Sequence, residues 1–286
     1  SIRPAPELAL SPARPATLPT PDPASDPAVA IIGIGCHFPG AQGKDAFWSN
    51  IVNGVSAIGQ VPRERWDPDL YFDPNPTAED KSYTTIGAFI HDFEFDSRRF
   101  RIPPNVAKQV DPVQQITLAC VAEAMEDANL KVDKRSAGRE FDRERCAVIL
   151  GNSLGGEVSD AYAIRLNWHA VEKALHDVPA LHGLPDAAMQ RLLGEMRTAY
   201  MTGLPSIDED SMPGELANVI AGRIANAFDL GGANFTVDAA CASSMAAMQS
   251  AIKSLQSGES DVVITGGADR SMNIATYVKF CKIGAL

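Results

Sequence analysis

The chain has 286 residues, 45% hydrophobic and 21% charged, with a formal net charge of −11, a profile that excludes a disordered or fibrous chain and fits a globular protein with a sizeable core. That charge argues against nucleic acid as a partner, since phosphate neutralisation needs a basic face, and no apolar run approaches the ~18 residues that span a bilayer. Five cysteines without a CxxC pair speak against a disulfide framework or a zinc site, and with no export signal at the N-terminus the expected setting is a reducing cytoplasm.

Residues 1–28 are rich in Pro and Ala without hydrophobic periodicity. Such a segment is expected to be an extended linker, with a single ordered region following over 29–286. "VAIIGIG" (29–35) is a short apolar run ending in glycines and predicts a buried strand. "KDAFWSNIVNG" (44–54) places apolar residues at 47, 48, 51 and 52 on one helical face, closed by Gly54. A longer amphipathic helix is expected over 111–130, with Pro112 in its first turn. "CAVILGNSLGG" (146–156) predicts a second buried strand running into a turn. Residues 158–203 are mostly helical in pattern with polar faces, the mark of an insertion or cap. A further helix over 214–232 is expected to stop at Gly231 and Gly232. "NFTVDAAC" (234–241), the helix after it and "DVVITGGA" (261–268) complete a strand–helix–strand unit. Strands alternating with helices imply an α/β layered fold with both sheet faces covered.

The run "GIGCHFPG" invites a dinucleotide-binding reading, but Phe38 stands where the third glycine of GxGxxG belongs and Pro39 follows it. No GxxxxGK[ST] pattern occurs either. The glycines therefore read as a tight turn. The histidines (His37, His91, His169, His176 and His182) show no metal-binding spacing.

The informative stretch is "TVDAACASSMAAMQSAI" (236–252). Phe235 and Val237 alternate as in a half-buried strand, and Ala239, Ala240 and Ala242 allow a sharp turn around Cys241. Met245, Met248, Ile252 and Leu255 then recur at helical spacing, a stripe expected to pack on the core, with Gly258 ending the helix. Cys241 thus falls at or just before a helix N-terminus, where free N–H groups and the dipole favour negative charge. Such N–H groups can also serve an oxyanion on an acylated sulfur, the logic of a nucleophile elbow with Cys in place of Ser. On spacing alone, a buried structural thiol and a catalytic nucleophile both remain open. Cys36, Cys120, Cys146 and Cys281 read as small core residues.

Six ordered stretches resolve this. "VAIIGIGCHFPGA", "VPRERWDPDLYFDPNP", "VDPVQQ" with "AMEDANL", "AGRIANAFDLGGANFTVDAACASS", "DVVITGGA" and "FCKIGAL" together resemble the β-ketoacyl synthases, the condensing enzymes of fatty acid and polyketide synthases, from residue 29 to 286. The resemblance implies the N-terminal half of a thiolase-like layered α/β fold, with a helical insertion at about 158–203, as part of a homodimer. It places Cys241 at the nucleophile position. Acyl transfer from an acyl carrier protein to Cys241 would be followed by decarboxylative condensation with a malonyl carrier. No cofactor or metal is implied for the domain itself, only substrates carried on phosphopantetheine.

The family's two catalytic histidines lie in its C-terminal half, past residue 286, and none of the five histidines here matches their motifs. A C-terminal half of the same domain and neighbouring domains of a multidomain synthase are therefore the expected partners, besides the carrier. The stretch "SRRFRIPPNVAKQVDP" and the insertion resemble iterative polyunsaturated-fatty-acid or enediyne-type systems more than modular ones. "DSRRFR", with Arg98, Arg99 and Arg101, is a candidate landing site for an acidic carrier. Two other readings compete: a catalytically idle scaffold or chain-length partner, against which Cys241 argues, and a cysteine hydrolase, for which no activating histidine motif is present.

Overall fold

The computed structural model describes residues 28–133 and 135–286. The expected linker, apart from residue 28, lies outside the described residues. In chain order the elements are a hairpin of β1 (His37–Phe38) and β2 (Ala41–Gln42), α1 (Lys44–Val52), β3 (Gly59–Gln60), α2 (Pro68–Tyr71), β4 (Ile86–Gly87), α3 (Pro104–Ala107) and α4 (Pro112–Asp127). Then follow β5 (Cys146–Gly151), α5 (Val158–His176), α6 (Asp186–Met201), α7 (Ser211–Glu215), α8 (Val219–Phe228), β6 (Asn234–Val237), α9 (Ser243–Gln256), β7 (Val262–Gly267) and α10 (Ile274–Lys282).

The centre is a parallel three-stranded sheet in the order β6-β5-β7. All six residues of β5 are buried, as a strand covered on both faces must be. Cys146, Val148 and Leu150 pack into the main core with Leu118 and Val121 of α4 and Ile220, Ile224 and Phe228 of α8. Ile149 points the other way, onto Ala247 and Ala251 of α9. The sheet is thus sandwiched between helices, and its register sets Gly151 opposite both Val237 and Gly267. The three strands end level, and that C-terminal edge is where ligands bind in open parallel sheets.

One buried carboxylate organises the helices on the α4 side. Asp111, fully buried, accepts from Val113 N (2.8 Å), Glu157 N (2.7 Å) and Val158 N (2.8 Å). A single side chain therefore caps α4 and receives the start of α5. Gly156 is required beside it, because a Cβ there would stand 2.1 Å from the Asp111 carboxyl. Helices α5 and α6 close on each other, with the Trp168 and Tyr200 rings 5.3 Å apart, and Tyr162 donates to Gln109 (2.6 Å) to tie the hairpin to the chain before α4.

Three expectations are corrected. Residues 29–35 do not form a buried strand: they pair with no strand among the described residues, with Ile31 78% and Ile34 54% exposed. Their backbone is taken up by α4 instead, Ile34 N donating to Asp127 (2.9 Å) and Cys36 N to Glu123 (3.0 Å). Gly33 and Gly35 permit this approach, since a Cβ at either would lie within 2.1 Å of an α4 carbonyl oxygen. Gly33 and Gly35 therefore serve close helix contact, not the tight turn expected from the sequence.

The α9 stripe is the second correction. Met245 and Met248 are 64% and 39% exposed, and the buried face is Ser243, Ala247, Ala251 and Ser254. Ala247 and Ala251 pack against Ile149 of the central strand, while Gly151 and Gly267 meet the helix at Ser243 and Ser244.

Third, the helix expected over 214–232 is two pieces, α7 and α8, separated by extended backbone at Leu216. It stops at Asp229, in the left-handed region at φ +56°, rather than at the paired glycines. Gly232 is needed for a different reason: a Cβ there would meet the Cys146 carbonyl oxygen at 2.4 Å.

Candidate active site

Cys241 sits in a single 3-10 turn, residues Ala240–Ala242, between the end of β6 and the start of α9. Two side chains staple that turn. Asp238 accepts from Ala240 N (2.9 Å), while Ser243 Oγ accepts from Ala239 N (2.9 Å) and donates to the Ala240 carbonyl (2.6 Å). Ala240 is held at φ +51°, a strained conformation for a residue with a Cβ and one that clusters at functional sites. No side chain caps the N-terminus of α9, which leaves first-turn N–H groups beside the thiol for a bound oxygen.

The turn rests on two glycines. A Cβ on Gly151 would come within 2.4 Å of the Ser243 carbonyl carbon, and one on Gly267 within 2.8 Å of the Ser244 Cβ. The ends of β5 and β7 therefore form the seat of the nucleophile turn, and glycine is the only residue that leaves room for it.

Cys241 is exposed and lines a cleft of about 1330 Å³. The wall is largely apolar, including Phe38, Phe47, Trp48, Ile116 and Phe89, as befits a site for a chain-like ligand. Polar groups cluster on one side. Arg65 and Arg270 both pair with Glu157, the second at 2.9 Å, and Met272 N donates to the same carboxylate (2.9 Å). The tryptophan next in sequence, Trp66, is buried against Tyr277, ring centroids 5.1 Å apart. The "RERWD" stretch thus contributes a cleft arginine, an anchor, and an Asp67 that begins α2 by accepting from Asp69 N (3.1 Å).

The other thiols separate cleanly from Cys241. Cys146 and Cys281 are buried, as expected, but Cys36 and Cys120 are half-buried and line the cleft. Sequence reasoning missed that placement because α4 and residues 29–35 meet only in the tertiary structure. Burial, reinforced by the neighbouring Glu123 carboxylate, pushes the Cys120 thiol up to about 12 and also raises Cys36. Burial likewise raises Cys146 to about 12, with Arg143 opposing it. Burial thus favours the thiol over the thiolate form at all three.

Among the histidines, His91, His169, His176 and His182 are exposed. His37 is half-buried on the cleft wall, its ring edge-on to Phe93 at 5.3 Å. Among the described residues no group of three or more His, Cys, Asp or Glu side chains is arranged to hold a metal ion, and no helix is long and apolar enough to cross a membrane.

The family model for the N-terminal domain of beta-ketoacyl synthase matches residues 26–286. The chain belongs to the β-ketoacyl synthase family. It is 33% identical over 257 residues to a polyunsaturated fatty acid synthase polypeptide of Thraustochytrium sp., covering 90% of this chain and 9% of that protein. To polyketide synthase GfsB of Streptomyces halstedii it is 32% identical over 267 residues, 92% of this chain and 4% of that one. The chain therefore spans under a tenth of these relatives. An oxazolomycin ketosynthase domain of Streptomyces albus superposes with a TM-score of 0.63 at 24% identity, covering 89% of this chain and 36% of that one. The shared architecture is the thiolase-like layered fold expected from the sequence.

Proposed function

We propose that this chain carries the nucleophile of a ketosynthase and that Cys241 is its catalytic residue. In this reading Cys241 attacks the thioester carbonyl of an acyl group on the phosphopantetheine arm of a carrier protein. The bond to the pantetheine sulfur breaks, the arm leaves as a thiol, and the acyl group stays on Cys241. A malonyl unit on a carrier then loses carbon dioxide. The electron pair of its broken C–C bond attacks the acyl carbonyl and expels the Cys241 thiolate. The electron count closes without an oxidant or reductant, and splitting transfer from condensation is covalent catalysis in its usual form.

The observation that carries the proposal is the contrast among thiols. One cysteine is exposed, at the foot of an uncapped helix in a long apolar cleft. Three others are held protonated by burial, and Cys281 is buried. The proton transfers of the condensation step are assigned to the family's C-terminal half, whose two catalytic histidines have no counterpart among residues 29–286. The exposed Ile31, Trp48 and Ile51 offer that half an apolar surface.

The outer edge of β6, with Phe235 42% exposed, suits pairing with a second copy of the chain in a homodimer. The carrier's landing site is assigned to Arg98, Arg99 and Arg101, all exposed, of which Arg99 already pairs with Glu126. Such a protein would be one domain of a multidomain, cytoplasmic synthase, and the polyunsaturated fatty acid synthase relative favours an iterative system.

Incubation with an acyl-pantetheine thioester, followed by peptide mass spectrometry, tests this. An adduct on Cys241, absent from Cys241→Ala, is the expected result. A protein that remains unmodified with its carrier and C-terminal half supplied would instead be an idle scaffold.

A further inference from the structure

Asn152 is the first residue past the central strand, and it touches the ends of all three strands. It follows Gly151 directly, and its backbone N–H donates to the Val237 carbonyl, the last residue of β6 (3.1 Å). Its Nδ2 donates to the Ala268 carbonyl, just past β7 (2.8 Å), and more weakly to Gly155 (3.2 Å). Ala268 N returns a bond to the Gly151 carbonyl (2.9 Å). The residue is only 4% exposed, and its Oδ1 has no hydrogen-bond partner among the described residues. Only the donor end of the amide is used by the fold.

Each contact leads to the cleft. Val237 is four residues before Cys241 on the strand that delivers it, and residues 266–270 form the cleft wall that ends in Arg270. Asn152 itself lines the same cleft. Asn152 thus bridges the nucleophile strand and the wall. Further along, Glu157 holds Arg270 (2.9 Å) and Met272 N (2.9 Å). At the start of the wall, a backbone bond at Gly151 fixes where β7 ends, and the Nδ2 bond orients the Ala268 carbonyl from which the wall departs.

We infer that Asn152 is a positioning residue for acylation: it sets the wall at residues 266–270 so that an incoming thioester meets Cys241 in one register. The inference rests on the reading of Cys241 as the acylated nucleophile. It predicts a selective defect. A bulky acyl-pantetheine must fit between wall and thiol, and misplacement by about 1 Å costs on the order of 100-fold in rate. A small alkylating reagent needs only access to the sulfur.

The test uses Asn152→Asp, which keeps the shape but replaces the donor with a second acceptor, and Asn152→Ser, which keeps a shorter donor. Acylation by an acyl-pantetheine and alkylation by iodoacetamide, each quantified on the Cys241 peptide, are measured side by side. The expected result is a drop of at least tenfold in acylation for Asn152→Asp, partial recovery in Asn152→Ser, and alkylation within twofold of wild type in both. Acylation unchanged in both variants overturns the inference, and so does alkylation falling in parallel with acylation, because that marks general loosening. Should Asn152→Asp fail to fold, Asn152→Ser decides alone, with acylation at the wild-type rate overturning the inference. A wild-type protein that alkylates but never acylates at Cys241, even with its carrier and C-terminal half supplied, defeats the underlying reading instead, and the inference with it.

Discussion

Substitution of Gly151 by alanine isolates the contact on which the nucleophile turn rests. The new Cβ would stand 2.4 Å from the Ser243 carbonyl carbon and 2.5 Å from both the Ser243 oxygen and the Ser244 nitrogen. All three are backbone atoms, so no side-chain rotation relieves the clash. Restoring ordinary contact requires a movement of about 1 Å, and β5 is the less mobile partner because it is buried on both faces. The first turn of α9 moves, carrying Cys241 with it. Overpacking of this kind costs about 1–3 kcal/mol of stability, which a protein of typical stability of roughly 5–15 kcal/mol survives. The rate penalty is larger in proportion, on the order of 100-fold for a 1 Å misplacement. The assay is the rate of Cys241 acylation by an acyl-pantetheine, with a urea unfolding curve on the same sample. Gly194→Ala is the control: it lies in α6 with open space around it, and alanine there stabilises a helix by up to about 1 kcal/mol. A folded Gly151→Ala protein that acylates within twofold of wild type would refute the claim that the strand ends seat the nucleophile.

Further outcomes follow from the same structure. Asp111→Ala strands one buried and two part-buried backbone N–H groups and removes the caps of two helices, a loss of about 2–5 kcal/mol that urea denaturation should register with α5 loosened first in hydrogen exchange. The thiols of half-buried Cys120 and buried Cys146 bind their protons more tightly folded than unfolded, so stability is full below the ordinary thiol value of 9.0 and falls as pH rises toward about 12. Unfolding curves between those limits should show that slope, and Cys120→Ala should flatten it. Phe235→Lys places a charge on the exposed edge of β6. In the proposed homodimer, light scattering should report a dimer for the unaltered protein and a monomer for Phe235→Lys, and a dimer of undiminished stability in the variant would refute pairing through β6.

The sequence alone determined the order of elements, since the periodicities that give α4, β5, β6, α9 and β7 are local properties of the chain. It also located Cys241, because a run of small residues between a strand pattern and a helical stripe is legible without coordinates. It could not say which side of a helix is buried. The apolar stripe of α9 looked like the inward face, yet Ala247 and Ala251 hold that position, packed against Ile149 of the central strand. The run at 29–35 misled for a related reason: apolarity signals that a segment is to be covered, not by what, and here the amides of Ile34 and of Cys36 just after the run bond to Asp127 and Glu123, 93 and 87 residues further along. The cleft belongs wholly to the tertiary structure. Arg65, Asn152, Cys241 and Arg270 carry no mutual signal in sequence; the level ending of three parallel strands brings the last three to one cleft, and Arg65 joins them by pairing with Glu157.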